Sequence, residues 1–199
     1  MLFFKQATVM IAQLKTFVKR FLSKFCIVIN RNNMNKLIQK AERILNMKKF
    51  KVYAVSILIA LGVGGLSGFL TRGEMRVYST LVQPPLAPPS WLFPIVWSIL
   101  FILMGISSAR IYLSTSYEKS SALTVYALQL AVNFVWSLIF FNIKAYYLAF
   151  FWLLLLLALI IIMIYKFYKI DRPAAYLQIP YLLWVIFAGY LTLAIAILN

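Results

Sequence analysis

The side chains best equipped to touch a ligand in this chain lie inside its apolar runs. Gln129 and Asn133 stand one turn apart in Leu128-Gln129-Leu130-Ala131-Val132-Asn133-Phe134-Val135-Trp136-Ser137, on a face shared with either Trp136 or Ser137. An amide in hydrocarbon is costly unless it meets a partner, so both must face protein or a cavity. Two roles fit them, hydrogen bonding between helices or contact with a bound molecule. Phe93, Trp97 and Phe101 recur every four residues and line one face of another helix. Trp184 and Ala188 lie one turn apart in a third, where a large ring beside a small residue makes a slot. A single aromatic of this kind reads as core or as an interfacial anchor. Taken together, the three helices would wall a cavity suited to a flat, largely apolar ligand with a few polar edges.

The same inventory excludes much chemistry. Histidine is absent, Cys26 is the only cysteine, and the acids are Glu42, Glu74, Glu118 and Asp171, spread over four separate segments. No intrachain disulfide or cysteine-based metal cluster can form. A Ser-His-Asp hydrolase, a zinc enzyme and a paired-carboxylate enzyme all lack their groups, so no metal site and no required cofactor are expected. A bound haem could not take a histidine axial ligand.

The elements that must position these residues follow from hydropathy. The chain has 199 residues, 64% of them hydrophobic and 12% charged, with a mean hydropathy of +0.89. A soluble domain of this length could not hide so much apolar surface, which makes this an all-α membrane protein. Five segments reach the ~20 residues needed to cross a ~30 Å hydrocarbon core, at about 52–70, 91–113, 122–141, 146–168 and 174–198. A five-transmembrane-helix bundle is predicted over 47–199.

Between the first two spans lies Gln83-Pro84-Pro85-Leu86-Ala87-Pro88-Pro89-Ser90, followed by Trp91 and, at 94, a fifth proline. Proline fixes φ and donates no hydrogen bond, so 83–89 is predicted to be a stiff, extended lid. Ser90 is the predicted N-cap of the second span, with Trp91 just inside and Pro94 in the first turn. Pro180 is predicted to kink the fifth span or free a carbonyl. Gly64 and Gly68 are spaced for close helix contact, read here as packing within the bundle, and Ala127 and Ala131 form a second small pair that hints at a dimer.

Lys and Arg number 20 against four acids. They sit at helix ends and in the N-terminal arm, which points to a membrane surface and not to nucleic acid. One side of the bundle carries Lys48, Lys49, Lys51, Arg110, Lys119, Lys166, Lys169 and Arg172, and the other carries Arg72, Arg76 and Lys144. The positive-inside rule then puts the N-terminus in the cytoplasm and the C-terminus and lid outside. Residues 1–46 form a basic extension in which Val9, Leu14, Phe17, Val18, Phe21, Leu22 and Phe25 roughly follow helical spacing. It reads either as an interfacial amphipathic helix or as a disordered arm upstream of a start at Met47-Lys48-Lys49.

Several stretches resemble the TspO/MBR family, which takes in the tryptophan-rich sensory proteins and the mitochondrial translocator (peripheral benzodiazepine receptor) proteins. They are Pro84-Pro85-Leu-Ala-Pro88-Pro89-Ser-Trp91-Leu-Phe93, Val96-Trp97-Ser98 with Met104-Gly105, Gln129 to Ser137, Pro180 to Tyr190, and the closing Leu198-Asn199. They fall on the first loop and on three of the five spans, in the family's order; residues 1–46 lie outside. The resemblance implies a five-helix bundle in a bacterial cell membrane, often a homodimer, with a pocket under the first loop for protoporphyrin IX, haem or related tetrapyrroles. It implies a pocket of Tyr78, Pro88, Trp97, Phe101, Asn133, Trp184 and Ala188. It also implies that Trp97 and Trp184 would carry any light-dependent porphyrin degradation. Pro94-Ile95 stands where the family usually has Gly-Pro, and Phe101 where a Tyr is common. No Lys or Arg follows Tyr190, so the family's sterol-linked pattern is incomplete and sterol binding is not expected. Sensor, regulator or carrier is the leading role; light-dependent porphyrin oxidation and passive porphyrin transport are the alternatives.

Overall fold

The computed structural model describes the backbone of residues 2–73 and 80–199, and the side chains of that set apart from 2–15, 17–18 and 21–33. The chain divides into two units, Met1–Lys48 and Lys49–Asn199. The first is the N-terminal part of helix α1 (Leu2–Thr71), and its described side chains are exposed. The amphipathic pattern read from Val9 to Phe25 falls on side chains outside the described residues.

The second unit continues α1 and adds α2 (Leu92–Leu113), α3 (Lys119–Ser137), a π-helical segment (Leu138–Ile143), α4 (Tyr146–Ile170), α5 (Arg172–Tyr176) and α6 (Ile179–Leu198). Five helical stretches are long and apolar enough to cross a membrane: Met34–Thr71, Leu92–Leu113, Lys119–Ile143, Tyr146–Ile170 and Arg172–Leu198. The protein is an all-helical integral membrane protein of the expected five-span type.

The pairs α3–α4 and α4–α6 pack most extensively, around a core that includes Met104, Leu156, Ile160, Met163, Phe167 and Tyr181. Lipid offers no hydrophobic incentive for helices to associate, so polar bonds between helices and close backbone approach carry more of the specificity. The Trp152 indole donates to the Val132 carbonyl at 2.8 Å, and the Ser107 hydroxyl to that of Ala174 at 2.7 Å. Arg110 pairs with Asp171 through two bonds of 2.9 and 3.2 Å. Asp171 also caps α5 by accepting from the Ala174 amide.

Helix α1 is the least buried of the five spans. It meets α2 where small residues let it in. A Cβ on Gly105 would lie 2.5 Å from the Ile57 Cα, and one on Gly64 would strike the Phe101 ring. Gly64 thus serves packing within the chain. Gly68 has nothing within 4 Å of an added Cβ.

Three local expectations are corrected. Helix α2 starts at Leu92 with Trp91 in the cap position and no side-chain cap bond, so Ser90 is not the N-cap. The chain from Pro84 to Ala87 is not extended. The Ala87 amide donates to the Pro84 carbonyl at 3.1 Å, and Leu86 has φ 68°, the signature of a type II turn with Pro85 at the position proline favours. Pro180 does not kink a continuous span. The run breaks after Tyr176, and Pro180 falls in the first turn of α6, where its missing N–H costs little.

Candidate functional site

A cavity of about 450 Å³ opens among α1, α2, α3, the π-helical segment and α6. Its lining lies at the end of the bundle that carries the 72–90 connection, running from Thr71 and Ser90 to Phe141 and Ile195. Three of its glycines, Gly64, Gly65 and Gly68, belong to α1 and leave the space that larger residues would fill.

Four of the seven sequence-predicted pocket residues meet there: Trp97, Phe101, Asn133 and Ala188 all line the cavity. Trp97 and Phe101 stack at a 30° tilt with centroids 5.5 Å apart, which follows from their four-residue spacing. Trp97 also meets Tyr181 edge-on at 6.2 Å, so its ring has two aromatic neighbours. Asn133 is 4% exposed, and its amide makes no hydrogen bond among the described residues, leaving it for whatever occupies the cavity.

Pro88 and Trp184 do not line the cavity, and Tyr78 lies outside the described residues. The Trp184 ring packs edge-on against Phe93 at 6.0 Å and beside Phe187 at 5.7 Å. The slot read between Trp184 and Ala188 therefore opens with Ala188 on the cavity and Trp184 packed alongside. Its indole nitrogen is buried without a hydrogen-bond partner among the described residues.

Gln129 and Asn133 part company. Gln129 is fully buried and its carbonyl oxygen accepts from the Tyr181 hydroxyl at 2.9 Å, so it joins α3 to α6. Asn133, one turn on, faces the cavity. Sequence reasoning offered Trp136 or Ser137 as the next residue on that face; both line the cavity, as do Phe140 and Phe141. The signal was present for Ser137, Phe140 and Phe141, which follow Asn133 at i+4, i+7 and i+8. A π-turn carries one extra residue per turn and helps two successive aromatics share the wall. Lys144, in the left-handed region at φ 60°, closes that segment.

Among the described residues the polar lining consists of Ser67, Thr71, Ser90, Ser98, Asn133, Ser137 and Thr192, and no charged side chain contributes. Two hydroxyls are spent within their own helices, Thr71 on the Ser67 carbonyl and Ser98 on that of Pro94. Among the described residues the cavity thus offers aromatic faces, one amide and a few hydroxyls, with no acid, base or thiol to move a proton.

The loop over this end is tied to α6 at two points. Tyr190 donates to the Pro85 carbonyl at 2.9 Å. The Asn199 side chain accepts from the Val82 amide at 2.9 Å and donates back to the Val82 carbonyl at 3.3 Å. The sequence singled out Leu198-Asn199 without a role; this two-way bond supplies one.

Comparison with known proteins gives a consistent picture. The model of the TspO/MBR family matches residues 54–198. The tryptophan-rich protein TspO of Chlorobaculum tepidum is 37% identical over 148 residues, covering 73% of this chain and 92% of that protein. The translocator protein of Bos taurus is 36% identical over 145 residues, 70% of this chain and 86% of its own length. The tryptophan-rich sensory protein of Cereibacter sphaeroides is 30% identical over 130 residues, 65% of this chain and 80% of its own. With five spans, the Trp97 and Asn133 cavity and a family match across nearly all of the second unit, this chain belongs to the TspO/MBR family.

Proposed function

We propose that this protein binds a tetrapyrrole such as protoporphyrin IX, or a haem-like relative, in the cavity under its first loop, and acts as a sensor, regulator or carrier. The observation that carries this reading is the aromatic-walled cavity of about 450 Å³ containing Trp97, Phe101 and Asn133, whose described lining has no charged side chain and whose Asn133 amide has no hydrogen-bond partner among the described residues. Its size falls in the ordinary range for ligand sites. Stacked rings suit a flat macrocycle, and a lone amide suits its polar edge. Nothing beyond the ligand is required as cofactor. The names of relatives as sensory and translocator proteins support a role built on binding.

The second reading is light-dependent oxidation of bound porphyrin. The absence of an acid, base or thiol among the described lining residues leaves the excited ligand to supply the reactivity, and Trp97 on the cavity wall favours this reading over passive transport. Trp184 would act only through the packed ring of Phe93. Loop charge supports a cytoplasmic N-terminus and an outside C-terminus in a bacterial cell membrane. Ala127 and Ala131, both exposed on α3, support packing of a second copy into a homodimer.

Purified protein is titrated with protoporphyrin IX in the dark and under illumination, with Trp97→Phe and Trp184→Phe alongside. Binding in the dark with an unchanged spectrum in light supports the sensor or carrier. Light-driven loss of the porphyrin band that needs Trp97 selects the enzyme. Porphyrin movement across a vesicle membrane without consumption selects the transporter, and no binding at all removes the tetrapyrrole reading.

A further inference from the structure

The segment from Met34 to Lys48 precedes the residues matched by the family model and belongs to the first unit, yet it is patterned. It is helical, and all its side chains are exposed. Met34, Leu37, Ile38, Ala41, Ile44 and Leu45 follow a spacing of three and four, and so occupy one arc of roughly a third of the helix circumference. The large members of that arc are between 40% (Ile44) and 63% (Leu37) exposed. The opposite arc holds Lys36, Lys40 and Arg43 at the same spacing, beside Asn35, Gln39, Glu42 and Asn46. Lys48, Lys49 and Lys51 then lead into the first apolar span, giving six basic residues against one acidic from Met34 to Lys51.

We infer that Met34–Lys48, which runs into the first span as part of one helix, bends from it at the Lys48–Lys49 division to become a membrane-surface helix that binds anionic lipid, with its apolar arc among the acyl chains and its basic arc on the headgroups. Two features choose this occupant. An apolar arc flanked by Lys and Arg matches the layering of a bilayer interface, where hydrocarbon and anionic headgroups lie a few ångströms apart. The chain is also anchored in a bilayer a few residues later, so that surface is present at high local concentration. A nucleic acid would satisfy the basic arc but leave Leu37, Ile38 and Leu45 in water. A second copy would cover the apolar arc but bring like charges together. Attraction to an anionic leaflet scales with the number of basic residues near it, roughly fivefold in affinity per residue at low salt.

The test uses the full chain in vesicles. Cys26→Ser removes the sole cysteine, and Leu37→Cys carries an environment-sensitive fluorophore. Vesicles are phosphatidylcholine with or without phosphatidylglycerol. The expected result is a blue-shifted emission, quenched by a lipid-borne quencher, that requires phosphatidylglycerol. It is lost in the Lys36→Glu, Lys40→Glu, Arg43→Glu triple variant and weakened in the corresponding Gln variant, whose helical content is checked by circular dichroism. A label at Asn35→Cys on the polar arc should stay water-like throughout. Water-like emission from Leu37→Cys in both lipids overturns the proposal. So does a shift equal in both lipids that survives charge reversal, which would assign the arc to protein or to neutral lipid. A shift produced by duplex RNA but not by phosphatidylglycerol would assign the basic arc to nucleic acid and overturn it as well.

Discussion

Gly64→Ala probes the join that shapes the cavity. The added methyl would overlap the Phe101 ring, which is 7% exposed and backed by Trp97 at 5.5 Å. The ring can retreat only into the cavity, or α1 must move away from α2. Overpacking of this kind costs about 1–3 kcal/mol. Replacing glycine by alanine inside a helix returns about 1 kcal/mol of propensity, so the net loss against the parent is about 0–2 kcal/mol. Gly65→Ala isolates the clash. It gains the same propensity, sits one residue away, and has nothing within 4 Å of its Cβ. The difference between the two variants should therefore be the full overpacking term of about 1–3 kcal/mol. The assay is reversible unfolding in mixed micelles of mild detergent and dodecyl sulfate, read by tryptophan fluorescence. Phe101→Leu in the Gly64→Ala background should recover most of the loss. Equal stabilities for Gly64→Ala and Gly65→Ala, or no recovery with Phe101→Leu, would refute the claim that this glycine exists to admit that ring.

Tyr181→Phe removes the bond to Gln129 and leaves a fully buried amide with neither end partnered; a loss of about 1 kcal/mol is expected, and a double-mutant cycle with Gln129→Leu should be clearly non-additive. Tyr190→Phe and Asn199→Ala each cut one tie between the first loop and α6. Amides around Val82 to Ala87 should exchange faster in both variants and fastest in the double variant, and unchanged exchange would mean that the ties do not hold the loop. Leu86 adopts φ 68° with its side chain 81% exposed, so Leu86→Gly should raise the unfolding free energy by up to about 1 kcal/mol, whereas Leu86→Ile should lower it. Gly105→Ala meets the Ile57 backbone at 2.5 Å, which yields less readily than a ring, so its loss should exceed that of Gly64→Ala in the same assay.

Legibility in the sequence tracked the range of the interaction. The membrane class and the number of spans came from hydropathy, because the transfer of a segment into hydrocarbon depends on its own composition. The stacked Trp97 and Phe101 were equally visible, since residues four apart on one helix touch whatever surrounds them. Partners on other helices were not. Gln129 and Asn133 carry the same chemistry one turn apart, and only the arrival of Tyr181 from α6 makes one a strut and leaves the other open to the cavity. Trp97 and Trp184 looked alike as site candidates, and packing against Phe93 separates Trp184 from the lining. The proline-rich loop was recognised by composition, but its ties to Tyr190 and Asn199 depend on atoms more than a hundred residues away. Local periodicity sets which face of each helix is aromatic or polar, and the packing of one helix on the next decides which of those faces bounds the cavity.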